Sequence, residues 1–164
     1  MQVRSEQAAD KAAIRSVLID AFGEPGEADL VDALRNDGDL AYSLVAEIDD
    51  TEGQSLVGQI AISRLKSPVK VLALAPIGVC HSHQNQGIGS ALVEMAVSMA
   101  AKDGFEIMFV LGNPDYYTRF GFSLKDAEPF ETEYSGPHFM AFWLGEARVP
   151  PAPLIYPKAF TDLD

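Results

Sequence analysis

The sequence predicts a mixed α/β fold in which helices flank one central, mostly antiparallel sheet. The first observation is a succession of three apolar segments in mid-chain, separated by turn residues, which is typical of an antiparallel meander. The second is a glycine turn between an apolar segment that ends near Val79 and an amphipathic segment that follows Gly87. A single domain is expected, because 164 residues suffice to bury one core.

The N-terminal half is predicted to form a strand, two helices and a three-stranded meander. Apolar residues at spacings of three and four support the helices, and glycines end them. Largely apolar runs and a hairpin turn support the meander. The predicted bounds are 2–5 for the strand, 8–22 and 27–35 for the helices, and 42–48, 56–65 and 69–79 for the meander, with the hairpin turn over 49–54.

The C-terminal half is predicted to continue with a helix, a buried strand, a short helix and two further strands. Lys102-Asp103-Gly104 is expected to end the first of these helices. The predicted bounds are 88–102, 106–111, 114–119, 121–124 and 138–144. Prolines in 149–153 remove ladder donors. Residues 145–164 are therefore predicted to be an irregular C-terminal extension of a single domain that spans 1–164.

Composition limits the classes of partner. The formal net charge is −12, which argues against nucleic acid and anionic membranes as partners. A single cysteine excludes an internal disulfide and favours a reducing compartment. The N-terminus has no apolar signal core, and no run of about 18 apolar residues is found. We therefore expect a cytoplasmic protein.

A phosphate-binding turn is predicted between the strand that ends near Val79 and the helix that follows. Glycine permits backbone angles closed to other residues and lets main-chain N–H groups approach a ligand. The first helical turn adds unpaired N–H donors and the positive end of the helix dipole, which suit an anion such as a phosphate. The residues concerned are Gln84, Gln86, Gly87, Ile88, Gly89 and Ser90.

Two common phosphate motifs do not fit this turn. A P-loop requires Lys and then Ser or Thr after its second glycine, where this chain has Ser90 and Ala91. A dinucleotide-binding motif requires Gly or Ala at the position of Leu92 and belongs in an early strand–helix turn. What remains is the pattern Gln-x-x-Gly-x-Gly, which starts at Gln84.

A second motif follows the strand that is predicted to end at Leu111. Residues 111–122 read Leu-Gly-Asn-Pro-Asp-Tyr-Tyr-Thr-Arg-Phe-Gly-Phe and contain the pattern Tyr-x-x-x-Gly-Phe, starting at Tyr117. Two motifs in this order, each after a strand, resemble those of the GNAT superfamily of N-acetyltransferases. The resemblance spans about residues 2–144, and 22–35 with 113–122 resemble a predicted-acetyltransferase branch of the superfamily.

The resemblance implies the GNAT acyl-CoA N-acyltransferase fold, with a parallel splay between the fourth and fifth strands. It implies acetyl-CoA as cosubstrate, with its pyrophosphate on the glycine turn and its pantetheine arm in the splay. It assigns the N–H of Val79, or of a neighbour, to the oxyanion and Tyr117 to protonation of the leaving thiolate. The implied reaction is direct acetyl transfer to a primary amine, on a small molecule or a protein, in a ternary complex. No metal is expected, and such domains often form homodimers through their C-terminal strands.

Several roles stay open at the level of sequence. Tyr116 is the adjacent rival of Tyr117. Glu27 and Glu24 lie between the N-terminal helices, where this branch places its acceptor, and are candidates for the general base; a solvated or capping carboxylate is the plainer interpretation. Asn113 is a candidate for hydrogen bonding to the pantetheine and also for capping the helix that begins at Pro114.

Other chemistry-bearing residues favour plainer interpretations. Cys80, His81 and His83 have spacing too close for zinc, and His138 is the only other histidine. Adjacent strand residues point to opposite faces, so Cys80 and His81 would not meet as nucleophile and base, which leaves a Cys80 hydrolase as a distant third function. Candidates for the terminal phosphate of the cofactor are Arg119, Lys125 and Lys158. Because no base is identifiable, a catalytically weak acetyl-CoA sensor or interaction module is the alternative function.

Overall fold

One six-stranded sheet forms the centre of the protein, as seen in a computed structural model that describes residues 1–162. The strands are β1 (Gln2–Ser5), β2 (Leu40–Asp50), β3 (Gly53–Arg64), β4 (Val71–Val79), β5 (Ile107–Leu111) and β6 (Phe139–Trp143). The helices are α1 (Lys11–Phe22), α2 (Gly26–Asn36), α3 (Ile88–Lys102), α4 (Pro114–Tyr117), α5 (Leu124–Ala127) and α6 (Lys158–Thr161). The strands lie in chain order, and every pair is antiparallel except the parallel pair of β4 and β5.

Helices cover both faces of this sheet. Val45 packs with α1 and α2, whereas its neighbour Leu44 belongs to the core beneath α3. Because successive strand residues point to opposite faces, α1 and α2 lie on one face and α3 on the other. This arrangement confirms the predicted mixed fold. No helix in residues 1–162 has the length and apolar character needed to cross a membrane.

A bulge in β4 opens the sheet between β4 and β5. Two residues of β4, Ala75 and Pro76, oppose the single residue Ala61 of β3. Such a bulge bends its strand. Parallel pairing between β4 and β5 stops directly before it, at the pair Leu74 and Val110. The last residues of β4 therefore diverge from β5, which confirms the predicted parallel splay.

The structure differs from the prediction mainly in the C-terminal third. The predicted strand over 121–124 is wrong: only Ser123 forms a bridge, with Ala141, and α5 begins at Leu124. The cause is the Ser123 side chain, which accepts a hydrogen bond from the Asp126 N–H and starts a helix. The extension predicted to be irregular contains α6 and a bridge between Ile155 and Lys66.

The remaining predicted elements differ only at their ends. The predicted helix over 8–22 begins with a 3-10 turn before α1, and the one over 114–119 divides into α4 and the 3-10 turn Thr118–Phe120. The strands β2 and β3 extend almost to the hairpin tip, so the predicted turn over 49–54 shortens. Helix ends are the least certain part of any pattern-based assignment, because the periodic signal fades there.

Candidate active site

The N-terminus of α3 presents unpaired main-chain donors, as the sequence predicts. Gly87 caps the helix with φ of 82°, in the left-handed region that favours glycine. The first hydrogen bond of the helix is donated by the Ala91 N–H to the Gly87 carbonyl, at 3.0 Å. The N–H groups of the three residues between them, 88–90, consequently have no acceptor within the helix. They lie at the positive end of the helix dipole.

A cavity of about 520 Å³ lies over this helix end and the open side of β4. Its lining residues are Ile77, Gly78, Val79, His83, Gln84, Asn85, Gly87, Ile88, Gly89, Ser90, Tyr116 and Arg119. Among residues 1–162, no carboxylate lines this cavity, and Arg119 is the only Lys or Arg that does. The chain as a whole has a net charge of −12, but no carboxylate in this lining would repel a bound anion.

The main chain of β4 faces the splay with hydrogen-bonding groups. The Cys80 N–H donates to the Val57 carbonyl on β3 at 2.8 Å. Successive N–H groups of an extended strand alternate between its two edges, so the Val79 N–H faces the splay. The Val79 carbonyl faces the same edge and accepts a hydrogen bond from Gln84 Nε2 at 3.0 Å. By the same alternation, the Ile77 N–H also faces the splay. Sequence analysis did not name this donor, although the two-residue periodicity of a strand could have located it.

The structure brings most of the predicted turn residues to the cavity. Gln86 is the exception, since it is exposed and does not line the cavity. Asn85 lines it instead, with φ of 63°, a left-handed conformation that asparagine tolerates. The Ile88 side chain is buried in the core, so its main chain is what reaches the cavity. Gly89 is closely covered, because a Cβ atom added there would lie 2.6 Å from the Tyr116 hydroxyl oxygen.

The two neighbouring tyrosines occupy different environments. Tyr116 lines the cavity and interacts with Ser90, and burial raises the pKa of its hydroxyl. Tyr117 is 8% exposed, and burial raises its pKa to about 12. The Tyr117 ring packs edge-on against Tyr116 and Phe122. Tyr117 does not line the cavity, and its role as an acid stays a prediction.

Asn113 has the capping role proposed from the sequence. Its side-chain oxygen accepts a hydrogen bond from the Asp115 N–H at 3.0 Å, with Pro114 in the first helical position of α4. Asn113 is absent from the described lining of the cavity. A contact between Asn113 and the cofactor therefore stays a prediction.

Glu27 and Glu24 differ in their surroundings. Glu24 is exposed, whereas Glu27 has a buried carboxylate oxygen, Oε2, without a hydrogen-bond partner among the described residues. The end of α1, just before them, rests on β4: a Cβ atom added to Gly78 would lie 3.0 to 3.3 Å from Leu18, Ala21 and Phe22. The junction of α1 and α2 is thereby held near the strand that borders the splay.

Cys80 and the histidines do not form a metal-binding group in residues 1–162. Cys80 borders a separate groove beside α1, and burial together with the nearby Asp20 raises the pKa of its thiol, which disfavours a thiolate. The His81 N–H donates to Asp20 at 2.8 Å. His83 lies 2.9 Å from the Ser82 hydroxyl, and His138 lies 3.3 Å from the Gly112 carbonyl. No three His, Cys, Asp or Glu side chains of the described chain gather as metal ligands.

Comparison with known proteins assigns this arrangement to a family. The sequence model of the Acetyltransferase (GNAT) family matches residues 11–122, from α1 to the end of the second motif. The chain belongs to the GNAT family of acetyltransferases. An Escherichia coli K12 protein named "Uncharacterized N-acetyltransferase YhbS" is similar to this GNAT chain, with 34% identity over 139 residues, which cover 83% of this chain and 81% of YhbS.

Two solved structures share the GNAT fold of this protein. The crystal structure of E. coli YhbS in complex with CoA superposes with a TM-score of 0.86 at 28% sequence identity, covering 98% of this chain and 91% of YhbS. A GNAT family acetyltransferase from Brucella melitensis, in complex with acetyl-CoA, has a TM-score of 0.80 at 30% identity, with 97% of each chain covered. The predicted GNAT family and fold class are confirmed.

Proposed function

We propose that this GNAT acetyltransferase transfers the acetyl group of acetyl-CoA directly to a primary amine, within a ternary complex. The observation that carries the proposal is the carboxylate-free cavity that joins the N-terminus of α3 to the open edge of β4. It offers anion-binding donors at one end and main-chain hydrogen-bonding groups at the other. Relatives of the same fold bind CoA and acetyl-CoA, which supports acetyl-CoA as the cosubstrate here.

The cavity suggests how acetyl-CoA would be held. The N–H groups at 88–90 suit its pyrophosphate, and Gln84, Gly87 and Ser90 line the same region. The pantetheine arm would extend along the open edge of β4, where the main chain of Val79 faces the splay. Gln84 contributes indirectly as well, since its hydrogen bond fixes the Val79 carbonyl. Asn113 and Gln86 stay candidates for additional contacts.

The proposed reaction needs few protein groups. The amine nitrogen attacks the thioester carbonyl, a C–N bond forms, the C–S bond breaks, and the thiolate leaves. The N–H of Val79 or Ile77 would stabilise the oxyanion, a type of donor whose loss costs about 2.7–4 kcal/mol in other enzymes. Tyr117 would protonate the thiolate, and the proton lost by the amine would pass to Glu27, directly or through water.

Gly112→Ala is expected to disturb the proposed acid. A Cβ atom at Gly112 would lie 2.5 Å from Cε2 of Tyr117, so the ring must shift. We expect kcat to fall about tenfold, as small misplacements of catalytic groups do. Overpacking should also lower the unfolding free energy by about 1–3 kcal/mol. Gly145→Ala is the control, because no atom lies within 4 Å of the added Cβ, and it should change neither kcat nor the unfolding free energy. An unchanged kcat in G112A would show that the position of the Tyr117 ring does not affect catalysis.

Glu27→Gln is expected to lower kcat/KM for the amine by about tenfold to a hundredfold, at or below the low end of general-base effects because water can replace the carboxylate. Affinity for acetyl-CoA should not change. Glu24→Gln, three residues earlier and exposed, is the matched control. Melting temperature tests for a structural role: E27Q relieves one buried, unpartnered carboxylate oxygen but loses a negative charge in the first turn of α2, so only a small change is expected. Equal activity of E27Q and E24Q would remove Glu27 from the reaction.

The proposal is tested by measuring release of the CoA thiol with a panel of primary amines, small and peptidic, at varied acetyl-CoA concentrations. Intersecting initial-velocity patterns are expected for a ternary complex. Parallel patterns would contradict direct transfer. A catalytically weak sensor is the second candidate, favoured by the burial of Tyr117 away from the cavity lining. Tight binding of acetyl-CoA without amine-dependent thiol release from any acceptor would favour that candidate.

Self-association is a further part of the proposal. The resemblance predicts a homodimer formed through the C-terminal strands. β6 lies at one edge of the sheet, where Ser123 already bridges to Ala141, so a second copy would have to pair beside or displace that bridge. Sedimentation of the protein at several concentrations would measure its mass. A monomer at all concentrations would contradict this part without affecting the catalytic proposal.

A further inference from the structure

The connection between β4 and α3 has little packing of its own. All but one of the side chains in residues 81–86, which we call the connecting segment, are exposed. Within residues 1–162, the hydrogen bonds of this segment go to Val79, Cys80 or its own members, with one exception. The exception is the His81 N–H, which donates to Oδ2 of Asp20 on α1 at 2.8 Å. In the described chain, this is therefore the one hydrogen bond that ties the connecting segment to another element.

Asp20 is held firmly by the packing of its helix. It lies in the last turn of α1, between Leu18, which is fully buried, and Ala21. A Cβ atom added to Gly78 would lie 3.0 Å from the Leu18 side chain and 3.1 Å from that of Ala21, so this turn rests directly on β4. Asp20 therefore has a fixed position beside the end of β4.

The connecting segment forms part of the cavity proposed for acetyl-CoA. Gln84 and Asn85 line this cavity, and Gln84 also donates its hydrogen bond to the Val79 carbonyl. The segment then continues into Gly87, which caps α3. Because the segment is largely exposed, losing its tie to α1 would give it more conformations, and binding of the ligand would have to select one of them.

We propose that Asp20 is a positioning residue for acetyl-CoA, which it affects through the His81 N–H and the connecting segment. The inference rests on acetyl-CoA being the cosubstrate. Asp20 is absent from the described lining of the cavity, so it acts without touching the ligand. Its negative charge would repel the phosphates of the ligand, and its contribution therefore comes from the hydrogen bond that it accepts.

The main chain of His81, and not its imidazole, carries this contact. Nδ1 of His81 lies 3.5 Å from the same Asp20 oxygen, but the His81 side chain is 66% exposed and that of Asp20 is 51% exposed. Ion pairs exposed to this degree contribute little, because water and salt screen them. The main-chain N–H, in contrast, donates to the carboxylate at 2.8 Å, which is the short distance of a charge-assisted hydrogen bond.

Two substitutions remove the contact from opposite sides. Asp20→Ala removes the acceptor, and His81→Pro removes the donor. Proline suits this position, because Cys80 has φ of −52° and ψ of 139°, the extended conformation that precedes proline, and His81 begins a 3-10 turn. We expect either substitution to weaken CoA binding in calorimetry about tenfold, the cost of ordering about one residue of backbone.

Steady-state kinetics separate positioning from a general structural effect. In either variant, KM for acetyl-CoA should rise about tenfold, while kcat at saturating acetyl-CoA should change by less than about twofold. The double variant D20A/H81P should lose no more affinity for CoA than either single variant, because both substitutions break the same hydrogen bond.

Three further variants serve as controls. Asp20→Asn keeps a side-chain oxygen that can accept the hydrogen bond, and His81→Ala keeps the main-chain donor. Both should bind CoA as the unmodified protein does. Asp37→Ala removes an exposed carboxylate at the end of α2 and controls for the loss of one negative charge.

The outcomes distinguish this inference from the proposed function. Unchanged affinity for CoA in both D20A and H81P would overturn the inference, as would additive losses in the double variant. An equal loss in D20N and D20A would also overturn it, since the charge and not the hydrogen bond would then matter. Each of these results leaves the proposed function intact. No binding of CoA by the unmodified protein would overturn both.

Discussion

Gly87→Glu is expected to reduce affinity for CoA by about a hundredfold or more, since several charge-assisted hydrogen bonds to the pyrophosphate are each worth about 1.5–3 kcal/mol. Gly87 caps α3, and an added Cβ atom would have no other atom within 4 Å. The added carboxylate would therefore sit beside the free N–H groups at 88–90 and occupy the place proposed for the phosphates. Isothermal calorimetry with CoA measures the effect directly.

Gly38→Glu is the matched control for this experiment. Gly38 has φ of 75°, close to the 82° of Gly87, and an added Cβ atom meets nothing within 4 Å. Both substitutions force a non-glycine residue into the left-handed region, at a cost of about 1–2 kcal/mol, and both add one negative charge. Only G87E places that charge at the N-terminus of α3. Equal affinities of the two variants for CoA would show that the turn does not bind phosphate.

Tyr117→Phe is expected to lower kcat by about a hundredfold or more, the usual contribution of a general acid. Affinity for acetyl-CoA should change little, because Tyr117 does not line the cavity of the free protein. Since burial raises its pKa to about 12, the hydroxyl keeps its proton throughout the neutral range. The kcat of the unmodified enzyme should consequently show no decline from Tyr117 below about pH 11. Steady-state rates from pH 6 to pH 10 test this.

Tyr116→Phe gives the contrasting variant. The Tyr116 hydroxyl lies against Gly89 and interacts with Ser90, so its loss should weaken acetyl-CoA binding more than it lowers kcat. If instead Y116F loses turnover and Y117F retains it, the acid is Tyr116. Comparing Y116F with Y117F therefore distinguishes a role in acetyl-CoA binding from a role in proton transfer.

The sequence predicted the glycine turn and the motif after β5 because each depends on a local signal. The turn at Gly87 lies between an apolar strand and an amphipathic helix, and both periodicities are strong. The pattern that starts at Tyr117 and the one that starts at Gln84 sufficed to identify the family. The cap at Asn113 followed from the preference of asparagine and of Pro114 for the first positions of a helix.

What the sequence could not show depends on contacts between distant residues. The bulge that opposes Ala75 and Pro76 to Ala61 is a property of strand pairing, which no single segment encodes. The burial of Tyr117 and the exposure of Tyr116 to the cavity depend on how α4 packs, although the two residues are adjacent and identical. The predicted strand over 121–124 was wrong because a Ser123 cap competed successfully with an apolar strand-like pattern.

The direction of the main chain at Ile77 and Val79 also affects which substitutions the proposed oxyanion donors tolerate. Every amino acid except proline carries an N–H group, so substitution at these two positions leaves the donors that face the splay in place. Their side chains pack against the core beneath α3, so packing rather than the reaction limits which residues can replace them. A search of related sequences for invariant side chains would consequently overlook this part of the proposed reaction centre, because strand geometry and not side-chain identity sets its donors.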